Sequence, residues 1–134
     1  MILLDTQSFV WLAENNDRLG TAARRIEAES DQVFVSAISL WEIGLLVSRG
    51  RMKLSRPYRR WLEVATQNGR ATIHPVSPDI AFEAGLLPHY PHGDPSDRIV
   101  LATAIELNCP VITSDKRMLD YANAGHVQAI DARR

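Results

Sequence analysis

The sequence contains very little cysteine: Cys109 is the single one among 134 residues. An intramolecular disulfide is therefore excluded, and a reducing compartment such as the cytoplasm is expected. The sequence also lacks any apolar run near the roughly 18 residues that would cross a bilayer. Its first segment, MILLDTQSFVW, reaches Asp5 early and has no basic start, which is not typical of a signal peptide. These absences predict a soluble cytoplasmic protein without a membrane association.

An excess of basic charge is missing as well. The 15 lysines and arginines are balanced by 16 acidic residues, so the net charge is −1 and the molecule as a whole does not attract polyanions. Any contact with nucleic acid must come from a local patch. The 46% of hydrophobic and 23% of charged residues are ordinary for a globular protein, and the length suits a single domain over residues 1–134.

Short apolar runs alternate with helical patterns along the whole chain. Strands are expected at 2–4, 33–35, 71–76, 110–113 and 127–131. Helices are expected at 6–14, 20–30, from Ser36 or Ser39 to Gly50, at 57–68 with Gly69 as its stop, and at 77–87, 94–108 and 115–123. The alternation predicts an α/β fold with three layers (α/β/α), in which helices cover both faces of a central, mostly parallel sheet of four to five strands.

Four acidic residues come from four separate segments to one edge of this predicted sheet. Parallel α/β sheets bind ligands outside the carboxyl ends of their strands. Asp5 and Asp115 each follow a strand that ends there. Glu42 lies early in the helix after the second strand, and Asp97 lies in the first turn of the helix that leads to the fourth. We therefore expect the four carboxylates to share one crevice.

Some of these acids have a structural alternative. Asp5 and Asp115 each precede a helix and could be its N-cap. Asp94, which a proline follows, is expected to cap the helix that contains Asp97. Asp97 and Glu42 are harder to explain in this way, because apolar residues three and four positions later share their helix faces. A carboxylate on an apolar face is costly to bury unless it is paired or bound to a metal.

The chemistry of the crevice follows from its charge. Four like charges repel one another, and several would be protonated unless a cation offsets them. The candidate ligands are all oxygen atoms, which favours Mg²⁺ or Mn²⁺ over zinc. Such an ion binds a phosphate oxygen and activates a water molecule, while a free carboxylate orients that water. The acids therefore predict direct, metal-dependent hydrolysis of a phosphate ester, without a covalent intermediate.

Four motifs lie in order along essentially the whole chain: LLDT with Trp11 after it, SAISLWEIGLL, HGDPSDRIVLATA and VITSDKRML. Together they resemble the PIN-domain ribonucleases, and more narrowly the VapC-type toxins of bacterial toxin–antitoxin pairs. The resemblance implies a Mg²⁺- or Mn²⁺-dependent endoribonuclease that cleaves RNA and forms a homodimer. It also implies a small antitoxin that inserts into the acidic cleft and holds the enzyme inactive.

The resemblance assigns the acidic cluster to catalysis. It implies that Asp5 and Asp97 bind the metal directly, and that Glu42 and Asp115 bind it directly or through water. The residues with a supporting or substrate-contacting role would be Asp94, Arg98, Thr113, Ser114, Lys116 and Arg117. Of these, Thr113 or Ser114 would add a hydroxyl, and Arg98 would pair with Asp94 or with a phosphate. The two cations after the fourth acid adjoin the metal site and would touch RNA.

A basic stretch between residues 49 and 60 stands apart from these motifs. It holds Arg49, Arg51, Lys53, Arg56, Arg59 and Arg60 and contains no acid. A solvated helix face, a contact with the RNA backbone and a contact with an acidic segment of an antitoxin are all compatible with it. Core packing is expected for Trp41 and Cys109. His89 and His92 have a proline between them and no third ligand nearby, which argues against a metal site.

Two other functions are open to such a chain. A non-catalytic binding module could use the acidic pocket for a partner protein, and the loss of one acid would favour it; all four are present. A phosphotransfer receiver domain also places an acid after its first strand. It needs an aspartate after the third strand, where this chain has Ser77 and Pro78.

Overall fold

A computed structural model describes residues 1–67 and 70–134. Within these ranges the strands are β1 (Ile2–Leu4), β2 (Val33–Ser36), β3 (Thr72–His74), β4 (Val111–Thr113) and β5 (Ala129–Asp131). The helices are α1 (Thr6–Ala13), α2 (Thr21–Glu29), α3 (Ala37–Ser48), α4 (Tyr58–Ala65), α5 (Pro78–Gly85), α6 (Pro95–Leu107) and α7 (Lys116–Asn123). Each corresponds to a predicted element, with bounds that differ by a few residues. The predicted end of α4, at Asn68 and Gly69, lies outside the described residues.

The five strands form one sheet in the order β3-β2-β1-β4-β5. Every neighbouring pair is parallel; Leu3 of the central strand, for example, lies opposite Phe34 on one side and Val111 on the other. All strands therefore end at the same edge. The predicted parallel α/β architecture is confirmed, and its connections bring the beginnings of α1, α3 and α7 to that edge.

The side chains of β1 show why helices cover both faces of the sheet. Successive residues of a strand point to opposite faces. Ile2 and Leu4 belong to one hydrophobic cluster, which includes Phe9 of α1 and Trp61 of α4. Leu3 belongs to a second cluster with residues of α5, α6 and α7. That cluster also includes Cys109, which lies between α6 and β4 and is buried as expected. The three-layer arrangement is thus confirmed.

The expected burial of Trp41 is wrong, because 53% of this residue is exposed. Ile43, two positions further along α3, takes the fully buried place instead. Helical spacing identifies residues that share a face, but it does not tell which face packs on the sheet. Trp41 lines a surface groove between α3 and α4 together with Tyr58 and Leu62.

None of the helices in residues 1–67 and 70–134 is long and apolar enough to cross a membrane.

Candidate active site

The acids that the sequence predicted to converge line one cavity of about 510 Å³. Asp5 follows β1, and Asp115 comes two residues after the end of β4. Glu42 lies in the second turn of α3, and Asp97 in the first turn of α6. Four separate elements thus deliver one carboxylate each to the carboxyl edge of the sheet.

Asp5 both caps a helix and lines the cavity, because its two carboxylate oxygens have different partners. Oδ1 accepts the backbone N–H of Ser8 at 2.8 Å, which caps α1. Oδ2 accepts the hydroxyl of Thr113 at 2.6 Å. Only 8% of Asp5 is exposed, and this burial raises the pKa of its carboxyl although the two hydrogen bonds lower it. The two readings of Asp5 are therefore compatible.

Asp94 and Asp97 divide the roles of cap and cavity residue. Asp94 is exposed, and its Oδ1 accepts the backbone N–H of Asp97 at 3.0 Å, so that it caps α6. The side chain of Asp97 is half-buried and lines the cavity. Burial, followed by the negative charges of Asp94, Asp115, Glu42 and Asp5, raises the pKa of Asp97 to about 7. The close placement of these acids therefore opposes the ionisation of all their carboxyl groups at once.

The fourth acid is tied to the first through Thr113, a fully buried residue at the end of β4. Its hydroxyl donates to Asp5 and accepts the backbone N–H of Asp115 at 3.0 Å. Asp115 in turn caps α7 by accepting the backbone N–H groups of Arg117 and Met118 at 2.8 and 3.2 Å. Thr113 therefore orients two of the acids at once. Ser114 lines the cavity beside them.

A buried hydrogen bond joins the two helices that flank the other side of the cavity. The Thr6 hydroxyl of α1 donates to the Ser39 hydroxyl of α3 at 2.8 Å. Ser36, and not Ser39, caps α3 by accepting the Ile38 backbone N–H. This contact holds the start of α3, and with it the half-buried Glu42, beside the residues that follow β1.

The donor atoms of the cavity fit a hydrated Mg²⁺ or Mn²⁺ ion. Carboxylate, hydroxyl and amide oxygens are available, and no histidine or cysteine is among the described residues that line it. Across residues 1–67 and 70–134, no three acidic, histidine or cysteine side chains are grouped closely enough to hold an ion by themselves. Mg²⁺ usually binds one or two carboxylates and keeps several waters, so it does not need such a cage.

Within residues 1–67 and 70–134, the expected ion pair between Arg98 and Asp94 is not formed, and a contact with a phosphate stays a prediction. The Arg98 guanidinium donates to the backbone carbonyl oxygens of Ala84, Tyr90 and His92 at 2.8, 2.7 and 2.9 Å. One step along a helix turns a side chain by about 100°, which directs Arg98 away from the cavity and toward α5. The last carbonyl groups of a helix lack intrahelical hydrogen-bond donors, and at the end of α5 the Arg98 guanidinium provides one to Ala84. It fixes the connection between α5 and α6.

The expected contact of Lys116 and Arg117 with RNA stays a prediction, but neither residue is a cation of the cavity itself. Lys116 forms an exposed ion pair with Asp120 at 2.7 Å. Arg18 and Arg133 line the cavity instead. Arg133 follows β5 at the carboxyl edge, so the topological rule that located the acids could have found it. No comparable sequence signal marks Arg18.

The basic stretch is an exposed surface. All six of its cations are exposed, and within the described part of the chain only Arg60 has an ion-pair partner, Glu63 at 3.1 Å. The three alternatives for the basic stretch stay open.

In the connection before α6, His89 stacks on His126 with ring centroids 5.2 Å apart, and His92 packs edge-on against Tyr90.

Comparison with known proteins places this geometry in context. The PIN domain family model matches residues 2–124. Ribonuclease VapC22 of Mycobacterium tuberculosis is 33% identical over 120 residues, which cover 90% of this chain and 91% of that protein.

Solved structures are similar over nearly the whole fold. One is VapBC2 from Rickettsia felis bound to a promoter DNA fragment, with a TM-score of 0.71, 18% identity and coverage of 97% of this chain and 98% of that one. Another is VapC20 of Mycobacterium tuberculosis, described as a Sarcin-Ricin loop cleaving toxin, with a TM-score of 0.64, 20% identity and coverage of 96% and 98%. At these identities the structural likeness concerns the fold.

Proposed function

The chain belongs to the PIN-domain family and to its VapC group, and on that premise we propose that it is a Mg²⁺- or Mn²⁺-dependent endoribonuclease, the toxin of a toxin–antitoxin pair. The observation that carries the proposal is the arrival of four carboxylates, from four elements, in one cavity. The half-buried Asp97 and the buried Asp5 repel each other there, and a divalent cation would remove that repulsion.

In the proposed mechanism the carboxylates of Asp5 and Asp97 would hold the metal, and those of Glu42 and Asp115 would bind it directly or through water. When bound, the ion supplies stabilisation of negative charge on phosphorus and a lowered pKa of water. The hydrogen bond from the Thr113 hydroxyl favours the ionised form of the Asp5 carboxyl and fixes its orientation. A carboxylate left free by the metal would orient the attacking water. The water oxygen would then bond to phosphorus as the bond from phosphorus to one ribose oxygen breaks. The water gives up one proton, and the departing ribose oxygen takes one up.

The partners proposed for this chain follow from its membership in the VapC group of the PIN-domain family. We propose RNA as the substrate and a small antitoxin that occupies the acidic cleft, with a homodimer as the assembly. Residues 1–134 would form one PIN-like domain that works in the cytoplasm. These proposals draw on the VapC relative, whose name describes a ribonuclease, and on the solved VapBC complex. A non-catalytic module with the same fold is the alternative, and the complete set of four acids in the cavity argues against it.

Cleavage of RNA is expected to require a divalent metal and to leave linear phosphate ends. Purified protein, stripped with a chelator, should cleave RNA only after Mg²⁺ or Mn²⁺ is restored. Because water is the proposed nucleophile, a 2′-deoxy substitution at a cleaved position should be tolerated and no 2′,3′-cyclic phosphate should form. The extent of cleavage measures the metal requirement and the tolerance of the 2′-deoxy substitution, and end-group analysis of the products shows whether a cyclic phosphate forms.

Either of two results would contradict this proposal. Undiminished cleavage in the chelator would exclude the metal, and cyclic phosphate ends would make the ribose 2′-hydroxyl the nucleophile. Metal-dependent RNA binding without cleavage under any condition would instead favour the non-catalytic module.

A further inference from the structure

Two arginine side chains share the cavity with the four acids. Arg18, between α1 and α2, and Arg133, after β5, both line it, and both residues are exposed. Among the ion pairs of residues 1–67 and 70–134, neither arginine has a carboxylate within 4.0 Å. Both arginines therefore lie at the cavity without an ion pair to its acids.

The two segments that carry these arginines are hydrogen-bonded to each other. The backbone N–H of Gly20 donates to the carbonyl of Ala132, and that of Ala22 donates to the carbonyl of Arg134, both at 2.8 Å. A Cβ at position 20 would collide with the backbone of Arg134 and would lie 2.6 Å from the carbonyl oxygen of Arg133. Glycine thus permits a close approach that sets the two arginines on the same rim.

Each arginine backbone is also held by an acceptor two residues before it. The Asn16 side-chain oxygen accepts the backbone N–H of Arg18 at 2.9 Å, and Oδ1 of Asp131 accepts that of Arg133 at 3.0 Å. The main chain beneath each guanidinium is therefore fixed while the side chain stays exposed. This arrangement lowers the backbone part of the entropic cost of binding.

A polyanion that approaches this cavity meets four carboxylates and has no help from the net charge of −1. An RNA strand needs local cations there in addition to any metal. The planar guanidinium, with its forked donors, matches phosphate oxygens better than a lysine does. We propose that Arg18 and Arg133 bind backbone phosphates next to the scissile one and so position the RNA over the acids. This inference rests on the proposed ribonuclease function.

The test compares the double variant Arg18→Gln/Arg133→Gln with Arg25→Gln, which removes an exposed arginine on α2 that does not line the cavity. Metal-dependent cleavage of a mixed-sequence single-stranded oligoribonucleotide is followed at several salt concentrations. For the double variant we expect a KM about tenfold higher and a kcat within a few-fold of the unmodified protein. Two lost phosphate contacts should reduce the salt slope of log affinity by about 1.4. Arg25→Gln should leave KM, kcat and the salt slope unchanged.

A direct binding measurement separates this inference from the ribonuclease proposal. Fluorescence anisotropy with the same labelled RNA is recorded for Asp97→Asn, with and without the two arginine substitutions. If cleavage proceeds but KM, RNA affinity and salt slope are unchanged in the double variant, the inference is overturned and the function stands. A loss confined to kcat overturns it equally. If the unmodified protein neither binds nor cleaves RNA, both fail.

Discussion

Asp97→Asn is expected to reduce metal-dependent RNA cleavage by more than about a hundredfold, because loss of groups that merely support metal ligands already costs 10–100-fold. Asparagine keeps the size of the side chain and removes its charge. The helix should be unaffected, since its N-cap is Asp94, whose oxygen receives the backbone N–H of residue 97. A single-turnover cleavage assay at saturating Mg²⁺ measures the effect.

The matched control for this variant is Asp94→Asn. The two acids are three residues apart and flank the same helix start, but Asp94 is exposed and does not line the cavity. Asparagine is as good an N-cap as aspartate, so stability should hold and activity should remain within a few-fold. Equal losses in the two variants would contradict the division of roles, and undiminished cleavage by Asp97→Asn would remove Asp97 from the site.

The second large effect concerns stability: the metal-free protein is expected to be less stable at pH 8 than at pH 5.5. The pKa of Asp97 is about 7 in the folded protein, against 3.8 for a free carboxyl. Between these values the folded state retains a proton that the unfolded state has lost, so rising pH favours unfolding. Without screening, this pKa difference corresponds to about 2 kcal/mol between the two pH values, and after a discount for solvent screening the loss should be on the order of 1 kcal/mol. Urea unfolding in a chelator at the two pH values measures it.

Two controls identify the source of that pH dependence. Asp97→Asn cannot ionise at this position, so its stability should fall much less between the two pH values. Mg²⁺ should restore stability to the unmodified protein chiefly at pH 8, because protons compete with the metal for the carboxylates. A variant with the full pH dependence would show that another group is responsible.

Topology explains how much of the site could be predicted from the sequence. Once the strands are parallel and the crossovers regular, three kinds of residue must lie at the carboxyl edge: those just after a strand, those early in the helix that follows it, and those in the first turn of a helix that leads into the next strand. Asp5, Glu42, Asp97 and Asp115 satisfy this rule, and the structure brings them into one cavity. The cap at Asp94 could also be predicted, because capping depends only on neighbouring residues.

The features that escaped prediction depend on contacts between distant segments. The carbonyls that surround Arg98 come from α5 and from the connection after it, and no local pattern reveals them. Trp41 has the spacing of a core residue, but the packing of the neighbouring Ile43 decides which face of α3 is buried. Arg18 reaches the cavity because Gly20 allows the residues after β5 to pack against the start of α2.

The central claim is that the clustered acids form one divalent-metal site, and Mn²⁺ binding tests it most directly because no RNA target is needed. Mn²⁺ can be titrated at pH 8 into the unmodified protein, Asp97→Asn and Asp94→Asn, with the free ion followed by electron paramagnetic resonance. The account predicts binding to the unmodified protein and to Asp94→Asn, with affinity at least about tenfold weaker in Asp97→Asn. Equal Mn²⁺ affinity in all three proteins, or no binding to any of them, would contradict it.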